Sequence, residues 1–263
     1  MKVWAVANQK GGVGKTTTTT SLAGLLAQRG HSTLVVDLDP HGSLTSYFGF
    51  DPETIEPSAY DLFARAAQGS SDTIMLRPTA VKNLSLLPAS TALATLDRQL
   101  GARSGMGLVV RRALQALSGR FEYALIDCPP MLGVLMVNAL AACDRLLVPV
   151  QTEYLALKGL ERMVHTLEMI QRSRSQPLPY TIVPTLFDRR TRASVESLEE
   201  LRQRYPAQIW SEAIPVDTQF RDASRQGLPL TVVHPWSRGS QAYRRLLDEV
   251  LLPEAPAQAV AHE

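Results

Sequence analysis

The segment that most constrains the fold of this chain is the run Lys10-Gly11-Gly12-Val13-Gly14-Lys15-Thr16-Thr17. An apolar stretch at residues 3–7 precedes this run and a helical pattern follows it, so the sequence predicts a buried parallel strand, a glycine-rich loop and a helix in direct succession. Glycines leave backbone N–H groups free to turn around phosphate oxygens, and the helix adds the positive end of its dipole. The chain is therefore expected to carry a phosphate-binding loop.

The spacing of this loop departs from the common form. The usual motif reads G-x-x-x-x-G-K-[ST], whereas Gln9 stands at its first glycine position and a second lysine, Lys10, precedes the glycines. Lys15 is expected to neutralise the β- and γ-phosphates of a nucleotide, and the Thr16 hydroxyl is expected to bind Mg²⁺. The residues predicted to surround the nucleotide phosphates are Gly11, Gly12, Val13, Gly14, Lys15, Thr16 and Thr17.

The remaining pattern is typical of an α/β fold, because short apolar runs alternate with helical segments. It predicts strands near residues 2–8, 33–38, 83–88, 122–127, 145–150, 179–185 and 208–214, and helices at 16–29, 106–118, 155–173, 191–204 and 237–251. With 263 residues and 45% hydrophobic content, we expect a single doubly wound, mostly parallel sheet flanked by helices. The expected domain covers residues 1–252, and the Pro/Ala-rich segment 253–263 is expected to be a disordered tail.

Together these segments resemble the deviant Walker ATPases, a P-loop NTPase family that includes ParA, MinD and the nitrogenase iron protein. Lys10 matches the signature lysine of that family, and further matches in the same order are residues 35–40, 126–130 and 148–154. Only about residues 51–80 lack a counterpart. The resemblance implies that the protein binds ATP with Mg²⁺, hydrolyses ATP slowly with stimulation by a partner, and forms an ATP-dependent homodimer in which Lys10 reaches the partner's phosphates.

Acidic residues lie at the predicted carboxyl ends of two strands, the edge at which open α/β sheets bind ligands. Asp127 ends a buried run and is expected to hold Mg²⁺ through water. By resemblance, Asp39 matches the catalytic aspartate that positions the attacking water, and Asp37 is placed near the outer shell of the metal. An alternative for Asp37 is a carboxylate that caps the turn at Gly42-Ser43.

The nucleotide base is assigned by resemblance alone. Pro215 matches a proline that packs on adenine, Asp217 matches an acceptor for the adenine amino group, and Thr185 matches a contact to the other edge of the base. Ordinary turn chemistry explains Pro215 and Asp217 almost as well.

A net charge of +2 is too small to indicate nucleic-acid binding, so any DNA contact depends on a local cluster of arginines. By resemblance, such a cluster binds DNA nonspecifically in the ATP dimer, and its candidates here are Arg189, Arg190, Arg192, Arg221 and Arg225. The alternative is that Arg190 and Arg192 are solvated and paired with Glu196 or Glu199 along a helix face.

Several classes of protein are disfavoured. Cys128 and Cys143 have neither the spacing nor the companions of a metal or iron–sulfur site, and Cys128 is expected to be a packed, inert thiol. The acidic last predicted helix lacks the basic amphipathic character of a membrane-binding segment, so neither membrane insertion nor a MinD-like membrane association is favoured. Because Met1-Lys2 runs directly into the first predicted strand, a cytoplasmic protein is expected.

One departure from the family pattern bears on which subgroup of the family the chain resembles. The family usually has Asp-Pro-Gln where this chain has Asp39-Pro40-His41, and the runs at 39–43, 152–160 and 184–191 look like ParC, a short ParA-type protein that positions chemotaxis arrays at the cell pole. The expected partners are then a ParB- or ParP-like stimulating protein and a polar landmark protein. Chromosome or plasmid partition on nonspecific DNA, with a nucleoid location, and a metabolic ATP-dependent synthetase remain open alternatives.

Overall fold

The computed structural model describes residues 1–69, 74–96, 105–172, 174 and 176–252, and its centre is a seven-stranded sheet of order β3-β4-β2-β5-β1-β6-β7. The strands are β1 (Lys2–Val6), β2 (Thr33–Asp37), β3 (Arg77–Pro78), β4 (Leu84–Leu87), β5 (Tyr123–Asp127), β6 (Arg145–Gln151) and β7 (Tyr180–Thr185). All neighbours run parallel except β3, a short edge strand antiparallel to β4. The predicted fold class is confirmed. One domain over 1–252 stays a prediction, and the expected tail, 253–263, lies outside the described residues.

The helices surround this sheet. They are α1 (Lys15–Gln28), α2 (Ser43–Tyr47), α3 (Ala59–Ala67), α4 (Val109–Ala116), α5 (Val134–Ala142), α6 (Tyr154–Gln171), α7 (Arg192–Arg204), α8 (Gln219–Arg225), α9 (Leu230–Val233) and α10 (Arg238–Leu251). The predicted helices agree closely with α1, α4, α6, α7 and α10, and a 3₁₀ turn at Met106–Leu108 precedes α4. The sequence pattern did not predict α2, α3, α5, α8 or α9, most of which are short.

Each face of the sheet has its own core because side chains alternate along β1. Val3 and Ala5 join the cluster packed under α3, α4, α5 and α6, whereas Trp4 and Val6 join the cluster under α1 and α10. Buried Thr18 of α1 makes a 2.9 Å hydrogen bond with the Tyr243 hydroxyl of α10. The two covered faces fix the position of α1, and with it the loop that precedes this helix.

The prediction of a strand at 208–214 was wrong. Main-chain hydrogen bonds connect this segment to β7 at both ends, from Trp210 N–H to the Ile182 carbonyl (2.9 Å) and from Ile214 N–H to the Pro184 carbonyl (2.8 Å). Between them the chain bends at Ser211 and Glu212, so only isolated bridges form. An apolar run alone does not keep a ladder in register across such a bend.

The register of the central strands assembles the acidic edge. Asp127 of β5 pairs with Val6 of β1 on one side and with Asp37 of β2 on the other. Because these strands are parallel, their carboxyl ends meet at the same edge. The glycine-rich loop after β1 therefore lies beside both carboxylates.

Candidate phosphate-binding site

The loop between β1 and α1 has the backbone form of an anion cradle. Gly12 and Gly14 have φ values of +75° and +88°, a region that strains any residue with a side chain. A Cβ built on Gly11 or Gly12 would meet no atom within 4 Å, so this backbone borders open space. Gly14 caps α1 without a side-chain hydrogen bond, which leaves the first N–H groups of the helix available to an anion.

Lys15 supplies the buried positive charge of this cradle. The side chain is only 8% exposed, and its Nζ donates a 3.1 Å hydrogen bond to the Lys10 carbonyl. Burial lowers the pKa of Lys15, while the charges of Asp127 and Asp39 oppose that shift. The ammonium is thus held next to carboxylates and in the loop, where a polyanionic ligand would stabilise its charge.

Asp127 and Thr16 form the part of the site that fits a divalent cation. Thr16 Oγ1 donates a 2.6 Å hydrogen bond to Asp127 Oδ2, whereas Asp127 Oδ1 is buried and has no hydrogen-bond partner among the described residues. Burial, and then the charge of Asp37, raises the pKa of Asp127 well above its usual range. Hydroxyl and carboxylate oxygens are ligands that Mg²⁺ prefers, usually together with substrate phosphates. No group of three or more His, Cys, Asp and Glu side chains in the described ranges is arranged to hold a metal ion.

Asp37 mainly holds the chain that follows β2. Its Oδ2 accepts hydrogen bonds from the Thr45 N–H (2.8 Å) and the Thr45 hydroxyl (2.7 Å), and its Oδ1 accepts from the Asp39 N–H (3.1 Å). Burial raises the pKa of Asp37 to about 7. This geometry favours the turn-holding alternative, with Thr45 as the donor instead of Gly42 or Ser43; an outer-shell metal contact stays a prediction.

Asp39 carries a contact that the sequence reasoning missed. Its Oδ1 accepts a 3.0 Å hydrogen bond from the His41 N–H, and the His41 Nδ1 lies 2.9 Å from the same oxygen. The Asp39 side chain is 13% exposed and that of His41 is 79% exposed. The histidine that replaces the usual glutamine therefore touches the predicted catalytic carboxylate from the solvent side. The two-residue spacing, typical of an Asx turn, was the available signal.

Lys10 is held within the chain by Glu153, a residue that was not predicted as a site residue. The Lys10 ammonium forms an ion pair with the Glu153 carboxylate, and the Lys10 N–H donates to Asn8 Oδ1 at 3.1 Å. Helix α6 packs closely here, since a Cβ on Gly159 would lie 3.3 Å from the Lys10 Cβ. No local sequence signal links Lys10 with Glu153, because the two are 143 positions apart.

The predicted base contacts have structural partners of their own. Thr185 Oγ1 donates a 2.8 Å hydrogen bond to the Val13 carbonyl, which ties the end of β7 to the phosphate-binding loop. Asp217 accepts from the N–H groups of Gln219 and Gly239, each at 3.0 Å, and so holds the start of α10. Pro215 bridges to Phe187 beside them. This supports the turn-chemistry alternative for Asp217, and contact with a base stays a prediction for Thr185, Pro215 and Asp217.

The arginines divide into two groups. Arg192 pairs with Glu196 at 2.6 Å, as the alternative interpretation expected, and Arg190 pairs with Asp188 at 2.7 Å and lowers the pKa of Asp188 to about 2. The remaining candidates, Arg189, Arg221 and Arg225, are exposed and form no ion pair within the part of the chain that the structure describes. Of the five candidates, only Arg189, Arg221 and Arg225 therefore carry a charge that is not already paired within the described residues.

An exposed tryptophan lies in the same region. Trp236 is 86% exposed, the highest value among the large apolar side chains of the described residues. It lines a cleft of about 1000 Å³ together with Arg189, Arg190 and Arg238. The combination of arginines with an exposed aromatic ring is typical of a nucleic-acid-binding surface.

Comparison with known proteins agrees with this geometry. A family model described as an AAA domain matches residues 1–179. The chain is 36% identical over 251 residues to the sporulation initiation inhibitor protein Soj of Bacillus subtilis, which covers 95% of this chain and 98% of that protein. It is 34% identical over 264 residues to the chromosome partitioning protein ParA of Caulobacter vibrioides, with 99% of this chain and 98% of that protein covered. A solved cobyrinic acid a,c-diamide synthase from Mycobacterium smegmatis, with bound ADP and magnesium, superposes with a TM-score of 0.81 at 35% identity, covering 95% of this chain and 94% of that one.

Proposed function

This chain belongs to the ParA/MinD family of ATPases, and we propose that it is an ATP-dependent dimerising ATPase that segregates or positions a cargo inside the cell. The observation that carries the proposal is the presence of two lysines with different surroundings on one phosphate-binding loop. Lys15 is buried in the loop. Lys10 lies at the edge of the loop, where its ammonium pairs with Glu153 at the start of α6. One lysine suits a nucleotide on its own subunit, and the other suits a nucleotide on a partner.

The ligand is ATP with Mg²⁺. The N–H groups of residues 11–17 and the Lys15 ammonium bind the phosphates, and the Thr16 hydroxyl and the Asp127 carboxylate hold the cation. When bound, Mg²⁺ neutralises charge on the phosphates. Asp39 orients the attacking water at the acidic edge, where its backbone is fixed by the Asp37 carboxylate. Hydrolysis is slow in the isolated protein and is stimulated by a partner protein.

Exposed apolar side chains beside the loop support a dimer. Met131 and Leu132 follow β5 and are 73% and 46% exposed, and Tyr154 and Leu155 begin α6 and are 66% and 65% exposed. Both pairs follow the carboxyl ends of parallel strands and so lie at the sheet edge that carries the loop, and exposed apolar patches mark interaction sites in soluble proteins. A second subunit placed over the nucleotide would cover these residues and bring its Lys10 toward the phosphates.

The free arginines support nonspecific DNA as a partner. Arg189, Arg221 and Arg225 are exposed, and Arg189 lines the same cleft as Trp236 and Arg238. In a dimer this surface occurs twice, so its attraction for phosphate would add and would fall steeply with salt.

The finer proposal for the cargo is chemotaxis arrays at the cell pole, and it rests on the motif resemblance of the 39–43, 152–160 and 184–191 runs. The relatives named for chromosome partition support the alternative cargo, a chromosome or plasmid. Imaging separates the two. Loss of polar chemotaxis clusters in a deletion strain with normal DNA content supports the first, and anucleate or plasmid-free cells support the second. A ParP-like or ParB-like activator, respectively, should then raise ATP turnover.

Membrane association is the less favoured alternative. No helix in the described ranges is both long and apolar enough to cross a bilayer. The apolar residues of α10, including Leu246, Leu247 and Val250, are buried in the core and so are not available to lipid.

A second candidate is an ATP-dependent amide-forming synthase, which the similarity to the solved synthase supports. Lys10 favours the dimerising ATPase, since an ordinary synthetase needs no lysine that acts across a dimer. ATP turnover that occurs without any amine or carboxylate substrate would support the first proposal.

The experiment that tests the proposed function is Asp39→Ala. We expect this variant to bind ATP and to accumulate as a dimer, because the phosphate cradle is intact while the water-orienting carboxylate is missing. Light scattering after size exclusion in ATP measures the dimer, and phosphate release measures turnover. Turnover near that of the wild type would remove Asp39 from the mechanism, and a variant that stays monomeric in ATP would contradict the dimerising ATPase.

A further inference from the structure

The side chain of Lys10 is engaged by a carboxylate of its own chain. Its ammonium pairs with Glu153, and the side chains are 25% and 40% exposed, respectively. Both polar groups of the Lys10 backbone are hydrogen-bonded. The N–H donates to Asn8 Oδ1 (3.1 Å), and the carbonyl accepts from Lys15 Nζ (3.1 Å). The direction of the Lys10 side chain is therefore set by one carboxylate.

Helix α6 provides that carboxylate from a fixed position. Gln9 Nε2 donates a 2.7 Å hydrogen bond to Thr166 Oγ1 of α6, and Gly159 allows the helix to approach the Lys10 Cβ closely. Glu153 is the N-cap residue of α6, yet its side chain makes no capping hydrogen bond. Its carboxylate instead pairs with Lys10, while the helix dipole favours a negative charge at this end.

The pairing competes with any role of Lys10 on another subunit. The Glu153 carboxylate attracts the Lys10 ammonium toward its own chain, so a contact of this ammonium with phosphates across an interface has to compete with that attraction. A dimer in which both lysines contact the opposite nucleotides therefore works against two such pairs.

We propose that Glu153 is a cis latch for Lys10, a positioning residue that keeps the lysine on its own subunit and thereby sets the ATP and protein concentrations at which the dimer forms. The inference rests on the proposed ATP dimer. Next to the latch, the exposed side chains of Tyr154 and Leu155 continue the same turn of α6, so a subunit that docks there contacts the element that carries the latch. Docking and release of Lys10 are in this way coupled.

The test compares Glu153→Gln with the wild type and with a matched control, Glu161→Gln. Glu161 lies on the same helix and pairs with Arg204 at 2.7 Å, away from the loop. Sedimentation equilibrium with a non-hydrolysable ATP analogue and Mg²⁺ gives the dimer dissociation constant, and calorimetry with ADP gives the affinity of the monomer. The double variant Lys10→Ala/Glu153→Gln shows whether the effect of Glu153 acts through Lys10.

We expect Glu153→Gln to lower the dimer dissociation constant by roughly two- to thirtyfold, since two partly exposed ion pairs open per dimer. ADP affinity should stay unchanged, Glu161→Gln should match the wild type, and the Glu153 effect should vanish in the Lys10→Ala background. A dissociation constant that is equal or higher in Glu153→Gln overturns the latch, as does a gain that persists without Lys10. A wild type that does not dimerise at all with the analogue refutes the proposed dimer as well.

Discussion

Replacing Asp127 by asparagine should stabilise the nucleotide-free protein and abolish its response to magnesium. Asp127 Oδ1 is buried without a hydrogen-bond partner among the described residues, and the neighbouring strand pairs Asp37 directly with Asp127. Asparagine has nearly the same shape, and its carbonyl oxygen can accept the 2.6 Å hydrogen bond from Thr16. The substitution therefore removes a buried charge while keeping the hydrogen bond from Thr16.

The size of the effect follows from the removed charge, because the neutral amide nitrogen of asparagine takes the place of Oδ1, which has no hydrogen-bond partner among the described residues. A buried polar group without a partner costs about 1–3 kcal/mol, and a charged group costs more. Because 1 kcal/mol shifts the melting temperature of a chain of this size by about 2–4 °C, we expect Asp127→Asn to melt roughly 2–10 °C higher in the absence of nucleotide and metal.

The stability should also depend on pH in a defined direction. Burial raises the pKa of Asp127 above its usual range and that of Asp37 to about 7, so the folded state binds more protons than the unfolded state over this interval. The free energy of unfolding of the nucleotide-free wild type should therefore be highest below the ordinary carboxyl pKa of about 4 and fall as the pH rises to about 7. Asp127→Asn should lose less stability over the same range.

The measurement is urea unfolding followed by circular dichroism in EDTA from pH 5 to pH 8, then with ATP in the presence and absence of Mg²⁺. Asp222→Asn serves as the control, since Asp222 is exposed on α8. A variant less stable than the wild type in EDTA at pH 8, or a pH dependence unchanged from the wild type, would refute the buried unpartnered charge. If Mg²⁺ raises the free energy of unfolding of the ATP-bound variant as much as it raises that of the ATP-bound wild type, Asp127 does not hold the cation.

Three further predictions concern the two lysines, His41 and the basic surface. Lys15→Ala should weaken the binding of both ATP and ADP by roughly 10- to 100-fold, the range expected for loss of a charge-assisted contact. Lys10→Ala should keep its ADP affinity and fail to dimerise with ATP. Calorimetry measures the affinities and light scattering measures the dimer, and normal turnover in Lys10→Ala would contradict the role of this lysine across the dimer. His41→Gln should change turnover by less than about fivefold, because the imidazole is largely exposed and such a contact contributes little; a greater loss in a phosphate-release assay would implicate the imidazole in the chemistry. Arg221→Glu should weaken DNA retention more than Arg190→Glu, because Arg190 is already paired with Asp188. Trp4 and Trp210 are 3% and 1% exposed, so iodide quenching of tryptophan fluorescence should report mainly on Trp236; saturating DNA that leaves both the emission and its iodide quenching unchanged would exclude this surface.

Much of the fold could be predicted because its signals are local. Apolar runs at strand spacing, the glycines of the loop and the helix that follows depend on backbone sterics and side-chain periodicity within a few residues. The same holds for the phosphate-binding residues, whose chemistry is contained in one continuous segment, Lys10 to Thr17. Where a pattern was interrupted by a bend, as at Ser211 and Glu212, the same reasoning predicted a strand that does not form.

What the tertiary structure alone decided is which side chains face each other across the chain. The register of β2 and β5 places Asp37 beside Asp127, and the packing of α6 places Glu153 against Lys10. Close packing likewise turned Asp217 toward the start of α10 and left Trp236 in solvent. Such contacts depend on strand register and helix packing over separations that range from 22 to 143 positions, and the residues on either side of a contact carry no local mark of their partner. The sequence by itself thus determined the chemistry of the phosphate-binding loop, and the tertiary structure determined how its charges are restrained.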